Sequence, residues 1–118
     1  MKLTSRRVYT RGAVILLLSI SFAVVSQLLT AQAANTFIVN SLGDTPDAEP
    51  GNGSCADANS FCTLRAAIQE ATALAGDEAI SFSVTGTINL TGALPTIPTR
   101  LSINWPGSSQ LIIRRDTG

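Results

Sequence analysis

The chain has 118 residues, with eight basic and eight acidic side chains and no histidine. That length allows at most one domain, and the missing histidine removes Ser–His pairs, Cys–His pairs and histidine-based zinc triads. Lys2, Arg6, Arg7 and Arg11 crowd the start, so the rest keeps four arginines against eight carboxylates, a net charge of −4. This balance argues against nucleic acid and anionic membrane surfaces as partners, because both call for a basic face.

The basic start is followed by an apolar run over residues 13–25 and the small-residue site Ala31-Gln32-Ala33. Basic, apolar and A-x-A segments in that order predict a secretory signal peptide over residues 1–33, cleaved between Ala33 and Ala34. Ser19, Ser21, Ser26 and Gln27 leave the apolar run short of the ~20 residues a membrane span needs. Membrane contact is therefore expected only through the leader, before cleavage. Ser5-Arg6-Arg7-Val8-Tyr9 also fits a twin-arginine export signal. Adjacent arginines are ordinary in a basic start, so the general secretory route is favoured. The expected location is secreted, extracellular or at the cell surface.

Residues 36–41 (TFIVNS) alternate and are rich in β-formers, which predicts a first strand with Phe37 and Val39 on one face. The following LGDTPDAEPGNGS is dense in Gly, Pro, Asp and Asn and reads as a loop. Cys55 and Cys62 come next, in a compartment that permits disulfides. A bridge between them closes an eight-residue loop, which the chain-entropy relation values at about 2.5 kcal/mol. The alternative is a metal site, disfavoured because histidine and a second cysteine pair are missing. The bridge matters for a mature segment of about 85 residues, a size at which a core alone is marginal.

Thr63 is the predicted N-cap of a helix, and Gly76 its predicted C-terminal stop. Leu64, Ala67, Ile68, Ala71 and Leu74 or Ala75 fall on one stripe, with Arg65, Gln69, Glu70 and Thr72 on the opposite, solvated side. From Ala79 the pattern changes to short strands that repeat at a shift of 21 residues. Ile80 then lies over Leu101, Phe82 over Ile103, Gly86 over Gly107 and Leu90 over Leu111. A period in this range marks stacked-rung architectures, although a β-meander with hairpins of similar length fits the same spacing.

TFIVNSLGDTPDAEPGNGSC followed by CTLRAAIQEA resembles the CSLREA-type N-terminal domain of bacterial secreted and surface proteins. The naming motif stands here as Cys62, Thr63, Leu64, Arg65, Ala66 and Ala67, with Ala66 replacing the usual Glu. That departure puts in doubt a capping-box contact from Thr63 to a Glu three residues on. The downstream ISFSVTGTINLTGALPTIPTRLSINWPG looks like the opening rungs of the right-handed parallel β-helix, of pectin lyase-like type, that typically follows in such proteins. The resemblance implies a mainly β fold with one short capping helix: leader over 1–33, cap over 34–78 and first rungs over 79–118. It covers nearly all of residues 35–118. A solenoid end exposes unpaired backbone and apolar side chains, so a cap is physically required.

The credible oxygen-ligand cluster is Asp44, Asp47, Glu49 and Asp57, which points to calcium. They do not match the twelve-residue EF-hand loop, and an acidic loop that is merely solvated fits the same residues. No other cofactor is expected. The resemblance to pectate lyase-like proteins makes Arg100, Arg114 and Arg115 the candidate arginines for binding acidic polysaccharide. A solvated strand end explains Arg114 and Arg115 equally. Asn52-Gly53-Ser54 and Asn89-Leu90-Thr91 are glycosylation sequons that bacterial export normally leaves unused.

The expected function is therefore a non-catalytic N-terminal cap of an exported β-helix, structural or adhesive at the surface. Its expected partners are further rungs of the same chain, and surface glycans or proteins. The repeat stops after two units, whereas three are normally needed to bury a solenoid core, so a longer parent protein is expected. Alternatives are the start of a polysaccharide lyase or hydrolase with downstream catalytic residues, and a small disulfide-stabilised binding module. Reduction of the disulfide is expected to loosen residues 55–76 first. Hydrogen exchange that is unchanged there on reduction contradicts the stapled-cap reading.

Overall fold

The computed structural model describes residues 34–116. The expected leader, including Ala33 of the cleavage site, lies outside the described residues; Ala34 is the first described and is exposed. Five short strands and one helix build this part of the chain.

Strand β1 spans Thr36–Val39 with Phe37 and Val39 buried, as its alternation requires. It ends two residues before the sequence pattern does. The N–H of Asn40 donates to the Cys62 carbonyl at 3.0 Å, and its side-chain oxygen accepts from the Cys62 N–H at 2.9 Å. These bonds take Asn40 off the ladder and tie the strand's end to the disulfide.

Helix α1 spans Leu64–Ala73. Thr63 caps it as expected, its hydroxyl accepting from the Ala66 N–H at 3.0 Å. Gly76 does not end it. Leu74 already turns extended (φ −89°, ψ 151°), its own N–H still bonded to the Glu70 carbonyl. Gly76 has a different reason to be glycine, since a Cβ there would lie 2.6 Å from Oε1 of Glu78. Close approach of a carboxylate, rather than a left-handed cap, is what that position serves.

The remaining strands are β2 (Ala79–Phe82), β3 (Gly86–Leu90), β4 (Ser102–Ile103) and β5 (Leu111–Arg115). They form two sheets, ordered β1-β2-β4 and β3-β5, and every described pairing is parallel. Parallel neighbours cannot be joined by tight hairpins, so a meander is not what the short strands make. β1 and β2 are neighbours in one sheet, joined through α1, and from β2 onward the chain alternates between the sheets.

The register corrects the 21-residue shift. Ile80 faces Ile103 rather than Leu101, held by Ser102 N–H on the Glu78 carbonyl and Asn104 N–H on the Ile80 carbonyl. Leu101 is left in a turn closed by its N–H on the Pro98 carbonyl. Gly86 faces Leu111, not Gly107. Both glycines have positive φ (128° and 104°), so the match seen in sequence reflects turn conformation rather than pairing. The two pairings also have different offsets from each other, because residues 83–85 link β2 to β3 whereas the longer stretch 104–110 links β4 to β5.

The core lies between the sheets and α1, with Phe37, Val39, Ile80, Ile88 and Leu111 meeting Leu64, Ala67, Ile68 and Ala71. Phe82 and Trp105 pack edge to face at 5.5 Å across the paired strands. Ile80→Ala or Ile88→Ala is expected to cost about 2–5 kcal/mol, by the lost transfer energy and the cavity left behind. Ile38→Ala, at an exposed position of β1, is expected to stay within about 0.5 kcal/mol. Urea unfolding of the three variants checks this, and equal costs would contradict the core assignment.

Candidate functional site

Residues 40–63 connect β1 to α1 without regular structure. A loop of that length is unusual in a small domain unless its backbone is tied down. The Cys55–Cys62 disulfide, with Cα atoms 5.1 Å apart, fixes its end against the helix start. Carboxylates fix the rest.

Arg65 is the strongest tie, and it corrects the expectation of a solvated helix face. The loop folds over that face, leaving the side chains of Arg65 and Asp44 only 15% and 4% exposed. The guanidinium grips both carboxylate oxygens of Asp44, Nε at 3.0 Å and Nη2 at 2.9 Å. Its Nη1 donates to the Ala93 carbonyl at 2.7 Å and its Nη2 to the Gly92 carbonyl at 3.1 Å. Asp44 also accepts from the backbone N–H and the hydroxyl of Thr91, each at 2.8 Å. Burial pushes the Asp44 carboxyl up, but the Arg65 hydrogen bonds, the two Thr91 bonds and the Arg65 charge together hold it below its ordinary value. Loop, helix and the turn after β3 thus meet at one ion pair.

Glu70 and Gln69 also lie inward of where the helical pattern put them. Glu70 is completely buried and accepts from the N–H groups of Gly51 and Gly53. These glycines have φ of 97° and 85°, a conformation that lets backbone N–H groups converge on an anion. Here the anion is the chain's own side chain. Gln69 accepts from the Asp47 N–H at 2.8 Å. Thr72 stays exposed, as expected.

The four residues of the calcium expectation are placed on separate internal donors. Asp44 holds Arg65 and Thr91. Asp47 is buried and accepts from the N–H groups of Glu49 at 2.8 Å and Ala56 at 3.2 Å. Glu49 is exposed and reaches the Asn52 amide at 3.5 Å. Asp57 accepts from the Thr45 hydroxyl at 2.5 Å and from the N–H groups of Asn59 and Phe61. The Thr45 bond first, then the Phe61 bond, outweigh burial and with Asn59 hold its carboxyl below the usual range. Among the described residues, no three acidic or cysteine side chains converge in a way that would hold a metal ion.

The arginines considered for polysaccharide stand apart from this node. Arg100 pairs with Asp77, both about two-thirds exposed. The hydrogen bond and charge of the pair lower the Asp77 carboxyl and raise Arg100. Arg114 and Arg115 are exposed on β5, facing Asn89 and Leu90 in register. A cleft of about 330 Å³ opens beside Arg100, between the end of α1 (Ala71, Leu74) and the turn at Pro98, with Glu78 and Gly76 in its wall.

Sequence reasoning missed Arg65–Asp44, Glu70 and Glu78. Their partners lie 17 to 43 residues away, beyond any local pattern. In the sequence the available signal is the Gly51-Asn52-Gly53 spacing, whose positive φ angles in the structure turn both glycine N–H groups onto Glu70.

Comparisons with models of protein families, with curated proteins and with solved structures find no match to this chain.

Arg65→Ala leaves Asp44 buried without its counter-ion, at an expected cost on the order of 3 kcal/mol. Because Asp44 titrates low when folded, the pair adds stability above the unfolded-state value near pH 4. That share is lost as pH falls through the folded value. Urea midpoints followed from neutral pH down to about pH 2 are expected to fall less steeply in Arg65→Ala. Equal acid sensitivity would show that the pair contributes nothing to the pH dependence.

Proposed function

We propose that this chain is the N-terminal cap and opening rungs of an exported parallel β-helix, non-catalytic and serving structure or adhesion at the cell surface. One observation carries the reading. Ile80 and Ile88 are completely buried, yet their in-register partners Ile103 and Ile113 are each 38% exposed. Parallel in-register residues share a face, so the change comes from position in the stack: the lower pair is covered by the next strand and the upper pair is not. Ile112 and Trp105 are also exposed at this end. At the opposite end α1 contacts β1 and β2, and its Leu64, Ala67, Ile68 and Ala71 enter the core. One end is closed by helix and the other is open and apolar, the asymmetry expected of a solenoid's first segment. The cysteine pair, Thr63 cap and export signal agree with the CSLREA-type resemblance, and the partner this implies is a further rung.

An open rung should associate with another one. The exported chain is expected to self-associate with rising concentration in sedimentation velocity. The double variant Ile103→Lys, Ile113→Lys is expected to remain monomeric with its thermal unfolding little changed. A wild-type chain that stays monomeric, together with Lys variants that unfold the protein, would overturn the open-end reading.

A further inference from the structure

Glu78 is 2% exposed. Its Oε2 accepts from the Asn35 backbone N–H at 2.8 Å, while its Oε1 has no hydrogen-bond partner among the described residues. A buried carboxylate left half satisfied is costly and calls for a donor or an opposite charge. The charged groups beside it are Arg100, which shares the cleft wall, and Asp77, to which Arg100 is already paired. The end of α1 contributes the apolar Ala71 and Leu74 to that cleft.

The neighbouring chain start supplies what is missing. Asn35 is held in place from both sides, its N–H on Glu78 and its carbonyl accepting from the Ala79 N–H at 2.9 Å. The nitrogen of Ala34 lies one residue before it, within about 3.6 Å along an extended chain. Cleavage between Ala33 and Ala34 adds water across that amide, leaving a carboxylate on Ala33 and an ammonium on Ala34. An amide nitrogen with one N–H becomes a cation with three donors, free to swing about the Ala34 backbone.

We infer that removal of the leader completes this site, with the new α-ammonium of Ala34 pairing with the Glu78 carboxylate. The inference rests on the export reading above and adds to it a consequence of processing. The mature N-terminus becomes a structural cation that locks the start of β1 onto the start of β2. An unprocessed chain has a neutral amide at the same place, so the fully paired fold belongs to the exported form.

The sequence makes the test unusually clean. Lys2 is the single lysine of the chain, so the processed protein has its α-amine as its one primary amine. The full chain is exported with its own leader, its mass is measured, and its α-amine is titrated with an acylating reagent at fixed pH. Only the unprotonated amine reacts. A buried ion pair worth one pKa unit slows acylation about tenfold, and Glu78→Gln is expected to restore the faster rate. If that variant fails to fold, two residues inserted between Ala33 and Ala34 carry the amine away from Glu78 and are expected to have the same effect. A product starting at Ala34 whose acylation rate is unchanged in these variants overturns the pairing and leaves the export reading standing. A product that starts elsewhere overturns the pairing alone, and a chain that stays uncut and is not exported overturns both.

Discussion

The guanidinium of Arg65 joins three stretches of chain that no ladder connects: the loop after β1, the first turn of α1 and the turn after β3. The helix supplies the cation, and the other two stretches present oxygen atoms to it, from Asp44 and from the carbonyls of Gly92 and Ala93. A planar, five-donor cation is suited to collecting them, since it grips a carboxylate bidentately and still has N–H groups for carbonyls. Lysine at this position would deliver the charge without the fork. This node holds the long loop over the helix together with Glu70, which binds Gly51 and Gly53, and Gln69, which binds Asp47.

The same principle runs through the rest of the loop over residues 40–63. An irregular loop carries as many backbone N–H groups as a strand but has no neighbour to accept from them. Glu70 receives Gly51 and Gly53, Asp47 receives Glu49 and Ala56, and Asp57 receives Asn59 and Phe61. The acidic side chains that suggested a cation site in the sequence accept from amides, hydroxyls and a guanidinium of the same chain. Buried carboxylates here take the place of secondary structure, and the Cys55–Cys62 bridge reduces the freedom lost when the loop is ordered.

Against this polar, tightly bonded end stands an apolar and unpaired one. The stack of parallel strands buries Ile80 and Ile88 but leaves Ile103 and Ile113 partly open. Hydrophobic side chains are retained at positions where this chain alone gains little from them. These exposed apolar side chains are the observation on which the proposed function rests.

Several features were legible in the amino-acid order because they depend on close neighbours. Phe37 and Val39 alternate within one strand, Thr63 reaches an N–H three residues on, and Cys55 and Cys62 are near enough to bridge. What the order could not determine depends on distances set by turns. The path from β2 to β4 sets Ile80 against Ile103 and that from β3 to β5 sets Gly86 against Leu111, two different offsets that no single periodicity reports. The helical wheel correctly located one buried face of α1. It could not show that residues 40–63 would cover the other, turning Arg65 and Glu70 from surface charges into buried anchors. Sequence alone determined the local elements and their chemistry, because propensity and capping act over a few residues. The tertiary structure decided which charges are interior and which strands are neighbours, because both follow from how a long loop folds back.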